Sequence, residues 1–351
     1  MKKLLKRILC TVFAMAMTGA LAIGMVGCDN RPTIAVIAKG ETHAFWQSVK
    51  KGAVEAGDKY GYKVTFRGPT AESEEYVSNQ REMLTQAINN ANTKAIVLAT
   101  IGTGFADDLV NAYEKKIPIV EFDSGLYNNR ADITEGKDPT VSSVASDNRA
   151  AAAVAAEKFY ENQKTKIESA TSDNPYVICI IQHDSSQTGI DRANGFKDKI
   201  DELAATQKKD GTFESYIEVK TNKDGDYKAA LQASQTRGNK NVDAVFMCNE
   251  GVVNECQPEV FNSNGKYKDI VFCGFDAGTN QINWIKSTDS NVGKLIGSVA
   301  QDSYSIGYKA VEQAAFAVEG KTITKKVGIP GTWYDSSNID EMIESNIVYT
   351  G

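Results

Sequence analysis

From Thr33 onward the chain alternates short apolar runs with stretches of helical periodicity, and that alternation leaves few folds open. Thr33–Ile37, Tyr62–Phe66, Ala95–Ala99, Ile117–Phe122 and Val141–Ala145 read as strands. Phe45–Tyr60, Glu74–Asn89 and Phe105–Glu114 read as the helices between them. Parallel strands need a long crossover and a helix supplies it, so the pattern predicts βαβ units around a largely parallel sheet. After Ser146-Asp147-Asn148 an alanine-rich helix is expected to about Tyr160, with the polar residues Glu161–Asn174 as a surface excursion. A second series follows. Its strands are Tyr176–Ile181, Phe213–Val219, Val242–Met247 and Asp269–Cys273, with helices near 190–206, 226–237 and 278–287. Val292–Ala300 reads as a further strand, Ser303–Val318 as a helix and Val327–Ile329 as a short strand, while Trp333-Tyr334-Asp335 falls in a polar stretch. No Gly/Ser or Pro-rich linker separates the two series, which suits closely apposed lobes with a cleft between them.

The residues before Thr33 carry a different message. Lys2, Lys3, Lys6 and Arg7 precede an apolar run from Leu9 to Val26, the layout of an export signal. The run approaches the roughly 20 residues that span a bilayer, so an uncleaved anchor is the competing reading. The ending Met25-Val26-Gly27-Cys28 favours processing and resembles a bacterial lipoprotein signal. That resemblance implies a signal peptide over 1–27, lipidation of Cys28, a short segment over 28–31 and an extracytoplasmic address at the cell membrane. Without residues 1–27 the chain holds 35 basic and 45 acidic side chains, a formal charge of −10. A nucleic-acid binder would carry a basic footprint instead. Cys179, Cys248, Cys256 and Cys273 lack zinc-site spacing. Cys179 and Cys273 read as buried thiols within strands, and an extracytoplasmic address leaves a Cys248–Cys256 disulfide open.

Three segments in order, Ser146-Asp147-Asn148-Arg149, Val271-Phe272-Cys273-Gly274-Phe275-Asp276 and Gly297-Ser298-Val299-Ala300-Gln301, resemble the type I periplasmic sugar-binding proteins, in particular the ribose-binding group. The resemblance covers nearly all of 32–350 and implies two Rossmann-like α/β lobes with parallel sheet cores, three interlobe crossings and a ligand between the lobes. It divides the chain into a first lobe of 32–146 plus 302–332 and a second of 148–301 plus 333–351. The hinges are expected near 147, 301–302 and 332–334.

The resemblance also carries over ligand positions. His43, Phe45 and Trp46 follow the first strand; His43 stands where the family often has Asn. Phe45 and Trp46 suit the C–H face of a sugar ring. Asp123 ends a parallel strand, where open α/β sheets collect ligands. Ser124 follows it in place of a frequent Arg, which removes a charged fork and separates this chain from close identity with ribose specificity. Arg192, Asn249, Asp276 and Gln301 match second-lobe contacts, and Asn148 matches the first crossing. Together these side chains donate and accept, as hydroxyl groups require. The family often places an aromatic near residue 225, where Asp224-Gly225-Asp226-Tyr227 stands here; Tyr227 and Asp184 are candidate ligand-proximal residues.

Enzyme readings lack support in the sequence. The two histidines, His43 and His183, belong to no HExxH pattern or recognisable triad, and Ala38-Lys39-Gly40-Glu41-Thr42 after the first strand is neither GxGxxG nor a Walker sequence. No cofactor or metal is expected. The sugar-responsive bacterial repressors resemble the same core, but here an export leader stands where their helix-turn-helix would be. The expected function is capture of a sugar or sugar-like molecule for an ABC permease by a monomer. A receptor feeding a membrane signalling protein, or one for autoinducer-2 or a cyclitol, is the alternative.

Overall fold

The computed structural model describes residues 29–220, 225–234, 241–345 and 347–349. The leader and Cys28 lie outside the described residues. Strands β1 (Thr33–Ile37), β2 (Lys63–Arg67), β3 (Thr93–Leu98), β4 (Ile119–Phe122), β5 (Thr140–Ser146) and β11 (Lys326–Ile329) form one parallel sheet in the order β11-β5-β4-β3-β1-β2. Strands β6 (Tyr176–Gln182), β7 (Phe213–Val219), β8 (Ala244–Met247), β9 (Val271–Phe275), β10 (Leu295–Gln301) and β12 (Gly331–Tyr334) form the other, ordered β12-β10-β9-β8-β6-β7. It is parallel except for the antiparallel pair β10–β12. Helices cover both faces, so strands such as β1, β6 and β10 are buried along their whole length. This is the two-lobed, doubly wound architecture expected from the alternation.

Among the described residues the chain changes sheet three times. After β5, Asp147 leads into α4 (Asn148–Glu168), which packs on β9, β10 and β12; after β10, Asp302 leads into α10 (Ser303–Val318), which packs on β3, β4 and β5. Both aspartates cap the helix they start, Asp147 Oδ1 accepting from Ala150 N–H and Asp302 Oδ1 from Ser305 N–H. Their backbones match as well, with φ/ψ of −75°/80° and −78°/78°. Pro330 makes the third change, between β11 and β12.

Four sequence expectations need correction. The helix from Asn148 runs to Glu168 rather than Tyr160, because Phe159, Gln163 and Ile167 extend its buried face through the polar stretch at four-residue spacing. A helix absent from the sequence reading, α8 (Glu250–Phe261), contains Pro258; its buried stripe of Val252, Val253, Cys256 and Val260 holds it despite the lost N–H. Trp333-Tyr334 lies in β12 rather than in a polar connection. The third crossing therefore precedes Gly331 instead of falling at 332–334, and Gly331 and Thr332 belong to the second sheet. The four described cysteines are buried, and Cys248 and Cys256 form no disulfide. Among the described residues no helix is long and apolar enough to cross a membrane.

Candidate functional site

Because the strands of each sheet other than β12 run parallel, their carboxyl ends collect on one side, and the two sets face each other across a cleft of about 870 Å³. The symmetry extends to single residues. Asp123 follows β4 and Asp276 follows β9, each third from the same edge of its sheet. Both have left-handed backbones, with φ of 55° and 69°. Asp123 N–H donates to Val144 O of β5 at 3.0 Å, and Asp276 N–H donates to Val299 O of β10 at 2.8 Å. A left-handed turn immediately after a strand aims each carboxylate off its sheet and into the cleft, the kind of local strain that marks functional sites.

Asp276 is the hub of the second lobe. Arg192, from α5 (Gln187–Leu203), donates from Nη1 to Asp276 Oδ2 at 3.1 Å and to Cys248 O at 3.2 Å. Its Nε donates to Asn148 Oδ1 at 2.8 Å, and its guanidinium lies 4.1 Å from the Phe275 ring centroid. Gln301 Nε2 donates to Asp276 Oδ1, while Gln301 Oε1 accepts from Ser146 Oγ at 2.8 Å. The last residues of β5 and β10 are thus bonded to each other across the crossings. Arg192 and Asp276 are almost wholly buried, so this ion pair is held by its additional hydrogen bonds rather than by Coulomb attraction alone. Asn249 accepts from Val252 N–H and caps α8, and it lines the cleft.

In the first lobe, His43 caps α1 (Ala44–Tyr60), its Nδ1 accepting from Phe45 N–H at 3.2 Å. That bond assigns the ring proton to Nε2, which lies 3.5 Å from Glu250 Oε2 of the other lobe. The hydrogen bond to Glu250 raises the His43 pKa, against the opposing effect of burial. Phe45 and Trp46 pack edge to face at 4.8 Å. Trp46 is only 1% exposed, with Nε1 donating to Glu72 at 2.7 Å, so it is chiefly a core ring that closes the cleft floor. Lys39 Nζ lies 3.1 Å from both Glu72 and Asp123.

The structure brings His43, Phe45, Trp46, Asp123, Ser124, Asp184, Arg192, Asn249, Asp276 and Gln301 to the cleft wall. It does not bring Asn148, which orients Arg192 from behind, or Tyr227, whose hydroxyl donates to His183 O at 2.7 Å within the second lobe. Sequence reasoning missed Lys39, Glu72, Glu250, His183 and Tyr349 as lining residues. Lys39 and His183 each follow a central strand closely, a positional signal that was available; Glu250 and Tyr349 reach the cleft only through tertiary packing. Burial, reinforced by the charge of Arg192, lowers the His183 pKa to about 4, so it is neutral at pH 7.

A cleft between two α/β sheets, with fixed polar side chains converging from both, is the geometry of a two-lobed solute receptor. The chain belongs to the periplasmic binding protein family: the family model described as "Periplasmic binding protein domain" matches residues 34–322. It is 23% identical over 321 residues to the ribose import binding protein of Haemophilus influenzae, covering 90% of this chain and 96% of that one. It is 25% identical over 307 residues to the ribose import binding protein of Bacillus subtilis, covering 85% of each. Among solved structures it resembles a Brachyspira murdochii protein described as "ABC transporter, LacI family transcriptional regulator", at 32% identity and a TM-score of 0.78 over 91% of this chain and 99% of that one. It also resembles an ABC transporter solute-binding protein from Agrobacterium vitis with bound D-fucose, at 25% identity and a TM-score of 0.66 over 90% and 100%. The chain is therefore a solute-binding protein of the ABC-transporter class, working outside the cytoplasm, and not an enzyme.

Proposed function

We propose that the protein captures a neutral sugar or sugar-like polyol between its lobes and, tethered through lipidated Cys28, passes it to its permease. The observation that carries this reading is the pairing of a rigid polar hub, Asp276 with Arg192 and Gln301, with the Phe45 ring in the same cleft. Such a hub supplies donors and acceptors for hydroxyl groups, and the ring offers an apolar face. Charge supports a neutral ligand over an anionic one. Glu72, Glu121, Asp123, Asp184, Glu250 and Asp276 line the cleft against Lys39, Arg130 and Arg192, and a sugar phosphate would meet net repulsion. The ribose import binding proteins and the D-fucose-bound receptor that the chain resembles take ligands of this same chemical class.

A calorimetric screen of pentoses, hexoses, disaccharides, polyols and autoinducer-2 tests the reading, with binding of at least one neutral polyol expected. Arg192→Ala and Asp276→Ala are each expected to weaken that ligand by about 2–5 kcal/mol, the cost of removing a partner from a buried charged pair. Unchanged affinity in both variants, with native circular dichroism, rejects the hub as the ligand contact. For the tether, fatty-acid labelling of cells is expected to mark the wild type and not Cys28→Ser.

A further inference from the structure

The expected second-lobe aromatic near residue 225 is absent from the cleft wall, since Tyr227 is buried and bonded to the His183 carbonyl. Among the described residues, the cleft receives its second-lobe phenol from the other end of the chain. Beyond α11 (Ile339–Glu344), Ile347 and Val348 N–H both donate to Met342 O at 3.0 Å, and Val348 is buried in the core. These contacts fix the next residue, Tyr349. Its ring centroid lies 6.3 Å from Phe45 and 5.9 Å from His43, edge to face with both, and its hydroxyl lies 3.4 Å from Glu250 Oε2. Phe45 and His43 belong to the first lobe, Tyr349 and Glu250 to the second. The rings therefore form one continuous aromatic wall whose halves come from different lobes, and the wall is complete only when the lobes approach. Burial and the nearby Asp276 and Glu250 carboxylates keep the phenol protonated, so it is a hydrogen-bond donor throughout the physiological range.

We propose that Tyr349 is the second lobe's aromatic ligand contact, supplied by the C-terminal tail, and that by touching Phe45 and His43 it couples occupation of the cleft to lobe closure. The ligand class it fits is a sugar ring or cyclic polyol, whose C–H face can pack on the wall while a hydroxyl meets the phenol or Glu250. The ligand half of this inference rests on the sugar-receptor reading; the interlobe half does not.

The test uses the full mature chain as wild type, Tyr349→Phe and Tyr349→Ala, with D-ribose, D-galactose, D-fucose and myo-inositol as probes in calorimetry and stopped-flow dissociation. Tyr349→Phe keeps the ring and is expected to bind within about threefold of wild type, whereas Tyr349→Ala loses about tenfold or more, chiefly through faster dissociation. Small-angle X-ray scattering of the ligand-free proteins is expected to show a larger radius of gyration for Tyr349→Ala than for the other two. Binding by Tyr349→Ala within about twofold of wild type, or equal losses in the two variants, overturns the ligand role. If neither these probes nor the wider calorimetric screen yields a ligand of wild type, the sugar reading fails on its own, and scattering then decides the rest: a larger radius for Tyr349→Ala upholds the interlobe contact, and identical radii overturn it.

Discussion

Asp123 and Asp276 hold left-handed backbones that non-glycine residues adopt at a cost, and Asp and Asn tolerate this conformation better than Ala does. Replacing Asp123 by Asn or by Ala removes the same charge from Lys39, so the difference between the two variants reports the backbone together with the one neutral hydrogen bond that Asn can keep to Lys39. Asp123→Ala is expected to be less stable than Asp123→Asn by about 1 kcal/mol in urea denaturation; equal midpoints would assign no strain to this turn. His183 makes a different demand. Held neutral by burial, with Arg192 and Lys39 opposing its protonation and Asp184 and Asp276 favouring it, it resists a proton that the unfolded chain accepts near pH 6.5. Its folded pKa is depressed, so the stability it contributes is present above about pH 6.5 and is lost as pH falls toward about 4, by up to about 3 kcal/mol. In urea titrations at pH 7 and pH 5, wild type should lose more stability on acidification than His183→Gln. Parallel losses would show that His183 titrates normally.

At the scale of elements, α1 and α10 meet backbone to backbone. A Cβ on Gly52 would land on the carbonyl oxygen of Tyr304, and one on Gly307 on that of Val49, both far inside van der Waals contact. The contact is reciprocal, and neither backbone can yield without separating the helices. Gly→Ala in a helix normally gains about 0.5–1 kcal/mol. Here the overpacking, about 1–3 kcal/mol or more, is expected to win, so Gly52→Ala and Gly307→Ala should both lower the urea midpoint. The effect should also reach the site, because α1 carries His43, Phe45 and Trp46 at its start; calorimetry on Gly52→Ala should show weaker binding of whichever sugar the wild type takes. A stabilised Gly52→Ala with full affinity would mean that the two helices are not locked at this crossing.

Over the whole molecule, two copies of one architecture face each other. Their equivalent strands β5 and β10 end in Ser146 and Gln301, which are bonded together, and lead into the matched caps Asp147 and Asp302. These connections leave the lobes few torsions about which to move, the form of a hinge closure around a ligand. His43 with Glu250 is a contact that any opening must break. A double-mutant cycle of His43→Ala and Glu250→Ala on ligand affinity should therefore be non-additive by about 0.5–3 kcal/mol. Additivity within about 0.3 kcal/mol would place the two residues on independent sides of the binding step.

How much of this was legible in the sequence differs from element to element. Strand–helix alternation with apolar runs sets its own fold class, because a fully buried parallel strand needs a continuous apolar run and a covering helix, and both are local patterns. Polar residues just after those strands, Asp123, Asn249 and Asp276 among them, were readable for the same reason: parallel strands deliver their carboxyl ends to one place. Other features have no local signature. Pro258 argues against a helix that packing nonetheless holds, the polar end of α4 hides a buried face, and the glycines at the α1–α10 crossing matter only because two distant helices meet there. Tyr349 and Glu250, 99 residues apart, meet only because the C-terminal tail folds back onto the second lobe. The sequence by itself determined the two α/β series and the polar residues at their strand ends, since those follow from periodicity, while the resemblance implied that the two sets face one another. The tertiary structure alone decided which aromatic completes the wall and which carboxylate meets His43, since those depend on how the two lobes and the C-terminal tail are placed in space.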